Sequence, residues 1–288
     1  HSLESSPNHD PLVKSQILQA QTNIKHYQDL LGMGTLWLNL TDITNVATTY
    51  QEGKFILAYF NASRINTMSD PQGPNKFEPS PTYQIDTSGD NASVQFLQYL
   101  VNLKTQKSFA VSEVKSNSQE IISKIDTWFN NFEQLLQKIF GNNNLILDFD
   151  YVNYKFYIKT KDREDFTLNE LSSGYSAVIN MITEIMMRMG KNKSSAYDVE
   201  GIVLIDEIET HLHVELQKSI LPILTTFFPN IQFIVTSHSP FVLQSVNNAV
   251  IYDLENRIPV KDLSAYSWNS IVENYFNVDQ YSVIIKQK

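Results

Sequence analysis

Residues 201–213, GIVLIDEIETHLH, carry an apolar run straight into two adjacent acids, Asp206 and Glu207. Downstream, VELQKSILPILTTFF at 214–228 has helical spacing and IQFIVTSHS at 231–239 is again an apolar run closing on polar residues. A strand, a helix and a second apolar strand form a βαβ unit, because parallel neighbours need a long crossover and a hairpin cannot supply one. The crossover is right-handed and sets the two strands side by side. This unit limits the chain to an α/β architecture whose sheet is mostly parallel and flanked by helices.

Around that unit, the chain alternates helical and strand patterns. PLVKSQILQAQTNIKHYQDLL at 11–31 predicts a helix, and LWLNLTDI at 36–43 and GKFILAYFNASR at 53–64 predict strands. Residues 69–90 are dense in Pro, Gly, Ser and Asp and predict a long loop. Two helices follow, over 92–107 and 116–141, the second with an apolar stripe through Trp128 and Phe132 and a natural stop at Gly141. That stripe is expected to lie on the sheet. NLILDFDYVNYKFYIKT predicts a hairpin turning near Asn153, and LSSGYSAVINMITEIMMRMG a helix apolar on almost every side, hence buried on most faces. Its Met181, Met186, Met187 and Met189 read as core filler. The resulting division is 1–68 for the first helix and strands, 69–140 for a loop and helical insertion, and 141–288 for the βαβ part.

Composition narrows the chemistry. A formal charge of -9 gives no bulk attraction to nucleic acid or anionic lipid. With no cysteine, disulfides and thiolate metal sites are excluded, and a cytoplasmic, reducing location is the simplest expectation. No apolar run reaches the roughly 20 residues a membrane span needs, so no membrane partner is expected. The chain opens HSLESSPNHD without an initiator Met, which reads as a processed chain, a tagged form or a fragment.

In an open parallel sheet, ligands bind beyond the carboxyl ends of the strands. Asp206 and Glu207 end one strand, and Thr236, Ser237 and His238 end the next. Adjacent carboxylates need a cation, and Mg²⁺ takes one or two of them while drawing its other ligands from phosphate and water. Ser172, Ser173 and Gly174 open the apolar helix, where free N–H groups and the dipole favour an anion. Acids, an imidazole and an anion-binding helix start together describe nucleoside triphosphate chemistry. His211 and His213, placed on a starting helix, diverge and make a poor zinc site. Arg64 reads as a solvated strand end and RMGKNK at 188–193 as a solvated helix end.

In order and spacing, LNELSSGYS, IVLIDEIETHLH and IVTSHSP resemble the signature motif, Walker B strand and switch-histidine loop of ABC-type ATPase heads. The SMC/RecF-like branch is the most similar, including the ATP-binding proteins of overcoming-lysogenization and Septu-type phage defence. YFNASR at 59–64 and YSWNSIVENYFNVD at 266–279 are also similar to stretches of that branch.

The resemblance implies a P-loop NTPase-like fold with ATP and Mg²⁺ as cofactors. It assigns Asp206 to the metal, Glu207 as general base and His238 to the γ-phosphate, with Ser237 beside it. Ser172, Ser173 and Gly174 would bind the γ-phosphate of a nucleotide in an opposing head. Glu209 to His213 would form the D-loop of a homodimer interface. An effector nuclease and DNA are the further partners such a head allows.

The pattern G-x-x-x-x-G-K-[ST] is absent: only Gly53 and Gly190 precede a lysine, as GKF and GKN. The expectation is therefore a C-terminal portion whose P-loop lies in a missing N-terminal lobe or another polypeptide, inactive in ATP turnover by itself. Two other readings stand beside it: a non-hydrolysing, nucleotide-gated module that recruits a partner, and a metal-dependent nuclease using Asp206, Glu207 and Glu209.

Overall fold

The computed structural model describes residues 43–52, 54–62, 67–75, 92–113, 117–189 and 199–260. The helix expected over 11–31, Arg64, most of the loop at 69–90, most of RMGKNK and the stretch 266–279 lie outside these residues, as does LWLNLTDI except for its last residue. Chain contacts divide the protein into His1–Asn45 and Val46–Lys288, and every element from β1 onward belongs to the second unit.

The helix α1 (Ile43–Gln51) leads into β1 (Phe55–Phe60). After a 3-10 turn at Ala92–Gln95 come α2 (Phe96–Ser112) and α3 (Ser118–Phe140), then β2 (Ile146–Asp150), β3 (Lys155–Lys159) and β4 (Phe166–Thr167). The chain continues with α4 (Ser173–Arg188), β5 (Glu200–Ile205), α5 (Val214–Phe227), β6 (Ile231–Val235), α6 (Pro240–Leu243), β7 (Ile251–Asp253) and β8 (Ile258–Val260).

Three strands form the sheet that matters for function, in the order β1-β5-β6 and all parallel. The βαβ unit is present as expected, with β6 beside β5. The apolar strand at 55–60 takes the other side of β5, so the acid-bearing strand is central. A separate antiparallel sheet, β2-β3-β4, contains the hairpin, whose Asp150 side chain accepts the N–H groups of Val152 and Asn153.

Side-chain alternation gives the parallel sheet two unlike faces. Ile56, Ala58, Gly201, Val203 and Ile205 are buried, and α4 packs on that side. From Ala177 to Met189 every residue of the α4 stretch is buried, Met181 and Met187 completely. The opposite face carries Tyr59, Leu204 and Ile234 in one register row, exposed by 44%, 41% and 49%.

Gly201 shows why β1 and β5 can lie so close. A Cβ there would overlap Ile56 Cγ1 and sit 2.6 Å from the Ile56 carbonyl oxygen. Gly201→Ala is expected to cost about 1–3 kcal/mol by overpacking, read as a lower denaturant midpoint at unchanged slope. An unchanged midpoint would mean that the strands are not packed this way.

Helix α3 ends at Gly141, which adopts φ 61° and donates to the Gln137 and Lys138 carbonyls. Its apolar stripe does not lie on the parallel sheet. Its main neighbours are α2 and α5, and Phe129 reaches the antiparallel sheet by stacking on Phe156 at 6.2 Å. Trp128 and Phe132 stack on each other at 5.5 Å, and Phe96 of α2 packs against both, edge-on to Phe132 at 5.2 Å and tilted to Trp128 at 6.2 Å.

Candidate functional site

The paired strands end together, with Ile205 opposite Val235. One residue further, alternation turns the Asp206 and Thr236 side chains to the face that carries Leu204 and Ile234. The two tips are then joined by hydrogen bonds. Thr236 N–H donates to Ile205 O at 3.0 Å, Ile208 N–H to Thr236 O at 3.1 Å, and Asp206 N–H to Phe60 O of β1 at 2.8 Å. The Thr236 hydroxyl donates to Asp206 Oδ1 at 2.6 Å and accepts from the Glu207 N–H at 2.8 Å. One hydroxyl therefore joins the Asp206 carboxylate to the Glu207 backbone.

At Glu207 the backbone leaves the strand with φ 44°, uncommon for a residue with a Cβ. Thr210 returns to it, donating its N–H to the Glu207 carbonyl at 2.9 Å and its hydroxyl to Glu207 Oε2 at 3.1 Å. Glu209 crosses to the other tip, and its Oε1 accepts the His238 N–H at 2.5 Å. Ser237 Oγ accepts from Ser239 N–H at 3.0 Å, and the Ser239 hydroxyl donates to Gln217 of α5 at 2.6 Å. Asp206, Glu207, Glu209, Thr236 and His238 thus share one mouth beyond the β5 and β6 ends.

The donor set suits a hard cation held partly by its ligand. Asp206 is half-buried, with Oδ1 engaged by Thr236, while Glu207 and His238 are exposed. Among the described residues, no three His, Cys, Asp or Glu side chains converge on a metal position. Mg²⁺ does not require such a cage, because it keeps waters and binds through one or two carboxylates plus substrate phosphates. Asp206 fits that use; a transition-metal cage does not.

Ser172, Ser173 and Gly174 sit elsewhere, against the far end of the 206–213 turn. Ser172 is the N-cap of α4, but its side chain makes no capping hydrogen bond; Ser172 and Ser173 are exposed. Gly174 is buried, and a Cβ there would lie 2.8 Å from the His211 carbonyl oxygen. Its lack of a side chain therefore lets α4 approach the turn after the acids. His211 and His213 do not stand on a helix, as their expected placement had it. His211 lies in the turn with φ 69°, and His213 is the N-cap of α5, its Nδ1 accepting from Leu216 N–H at 3.4 Å. The chain stays in turn conformation because Glu207 and Thr236 hold it there. Tyr175 packs edge-on against His213 at 5.6 Å, a second contact between the helix start and this turn.

The sequence pattern places Thr236 at the strand end without a role, and Glu209 in the D-loop region or, in the nuclease reading, among the metal-binding acids. In-register pairing was the usable signal, since Ile205 opposite Val235 puts residue 236 beside residue 206. No sequence signal pointed to the Glu209–His238 contact.

Comparisons with known proteins follow these residues. The family described as "AAA domain, putative AbiEii toxin, Type IV TA system" matches residues 57–244, from β1 through α6. A Septu protein PtuA from Bacillus mycoides (strain KBAB4) is 39% identical over 129 residues, covering 44% of this chain and 18% of the relative. The Retron Ec83 probable ATPase from Escherichia coli is 37% identical over 131 residues, covering 43% and 24%. The match thus spans less than a quarter of either relative's length. A solved structure from work on ATP-driven dimerization and DNA-stimulated activation of SMC ATPases aligns with 53% of this chain and 92% of its own. The identity is 15% and the TM-score 0.36. Among the described residues, no helix is long and apolar enough to cross a membrane.

Proposed function

This chain belongs to that AAA-domain family, and on that premise we propose that it is the signature-helix and Walker B side of an ATP-hydrolysing head. The head would dimerise around Mg-ATP and couple the nucleotide cycle to DNA or an effector nuclease in phage defence. The observation that carries the reading is the Thr236 hydroxyl between Asp206 and the Glu207 N–H, at the ends of adjacent parallel strands.

Asp206 would hold Mg²⁺, which when bound neutralises charge on the triphosphate. Glu207, exposed and hydrogen-bonded by Thr210, would take a proton from the attacking water. His238 would contact the γ-phosphate from the neighbouring tip, with Ser237 next to it. Ser172, Ser173 and Gly174 start α4 at the His211 end of the turn, with both serines exposed, and would act on a nucleotide held by a second head. The turn from Glu209 to His213, seated on the same helix start, would lie in that dimer interface. The phosphate-cradling P-loop would come from residues outside these 288.

The test is ATP affinity and turnover with a P-loop-bearing lobe supplied, beside metal-dependent nicking of DNA without ATP. Mg²⁺-dependent hydrolysis by the joined protein and none by this chain alone is the expected pattern. Nicking without nucleotide, lost in Asp206→Ala, would replace the ATPase reading with a nuclease. Tight ATP binding without turnover would leave the non-hydrolysing recruitment module.

A further inference from the structure

Two loops must stay in register for the proposed site to work, and they belong to different strands. The β5 tip is secured by its own turn and by Thr236, as described above. The β6 tip beyond Thr236 has far less support at His238. Among the described residues its backbone makes one hydrogen bond, from N–H to Glu209 Oε1 at 2.5 Å. The next anchor along the chain is buried Ser239, which caps α6 and reaches Gln217.

Glu209 is itself well fixed. Its carbonyl accepts from Leu212 N–H at 2.9 Å, it follows the fully buried Ile208, and its Oε2 is enclosed with no hydrogen-bond partner among the described residues. An enclosed carboxylate oxygen without a partner costs free energy. A carboxylate kept there at that cost, bonded through its other oxygen to one backbone group of the opposite tip, is placed as a clamp. Hydrogen bonds to a charged acceptor are also the stronger kind.

We propose that Glu209 is a positioning residue: its carboxylate fixes the backbone of His238, so that the imidazole is presented at the mouth shared by Asp206 and Glu207. The proposal rests on the nucleotide-site reading only for what His238 does there; the clamp itself is a property of the chain. Glutamine at 209 keeps an acceptor oxygen for the His238 N–H, whereas alanine removes it.

The experiment is NMR on the full chain with labelled histidine, comparing wild type, Glu209→Gln and Glu209→Ala, with Mg-ATP added as the probe. Amide exchange at His238 is expected to speed up by about tenfold or more in Glu209→Ala and to stay near wild type in Glu209→Gln. The His238 imidazole signals are expected to move toward free-histidine values in the alanine variant alone, while amides in α4 and β5 keep their protection. That retained protection separates lost positioning from lost folding. Unchanged His238 exchange and imidazole signals in Glu209→Ala would overturn the proposal, as would equal losses in both variants. A clamp verified in this way, with no His238 response to Mg-ATP in wild type once a P-loop-bearing lobe is supplied, supports the proposal and removes only the nucleotide reading.

Discussion

Glu184→Ala is expected to destabilise the chain by about 3–5 kcal/mol, the largest stability loss expected of a single side chain here. Glu184 and Arg188 are each 5% exposed and form an ion pair one turn apart on α4, with Nε and NH2 of the arginine at 2.9 and 2.7 Å from Glu184 Oε1. Glu184 Oε2 accepts the Ser93 N–H at 2.8 Å, and Arg188 NH1 reaches the Leu57 carbonyl at 3.5 Å. The pair therefore ties the helix that begins with Ser172–Gly174 to the turn before α2 and to β1. Removing the carboxylate takes from the buried guanidinium the oxygen that Nε and NH2 share and from the buried Ser93 N–H its acceptor, and both penalties add. Urea unfolding checks this, together with a Glu184→Met/Arg188→Met double variant. The double variant is expected to lose less than the single one, because no unpaired charge remains. A single-variant loss under about 1 kcal/mol, the scale of an exposed pair, would show that the pair is not buried.

Glu207→Gln is expected to lower Mg²⁺-dependent ATP turnover by about 10²–10⁴-fold once a P-loop lobe is supplied, the range a positioned general base contributes. ATP affinity should hold, since the amide keeps the size of the side chain and the Thr236 hydroxyl still meets the backbone N–H at 207. Asp206→Ala is expected to act differently, weakening nucleotide binding only when Mg²⁺ is present and releasing the Thr236 hydroxyl from its acceptor. Rates and affinities measured with and without Mg²⁺ separate the two roles. Equal effects of the two variants on binding and on turnover would mean that the acids share one structural task.

Much of the sheet was legible because its strands are almost wholly apolar. ILAYF, GIVLI and IQFIV each end on polar residues at the same relative place, and the helix between the last two has the length of a crossover. The buried character of α4 was equally plain from an apolar surface all round. The partner of α3 was not legible, because an aromatic stripe states that a face is buried without stating against what. Nor was the turn at 207–213. Positive φ at Glu207 and His211 carries no glycine to announce it, and at Glu207 it comes with hydrogen bonds to Thr236 and from Thr210. Of the candidate site, Asp206 and Thr236 come together because in-register parallel strands require it, and His238 follows two residues on along the same tip. The Glu209 link between the tips depends on side-chain reach in a turn, which spacing does not encode.

Manganese relaxation tests the central claim most directly. With a P-loop-bearing lobe supplied, and ATP with Mn²⁺ in place of Mg²⁺, amide signals of residues 206–209 and 236–238 should broaden first and together, and Asp206→Ala should abolish that broadening while leaving signals from α3 untouched. Broadening centred elsewhere in the chain, or broadening at the two strand tips that survives Asp206→Ala, would contradict a metal-nucleotide site between β5 and β6.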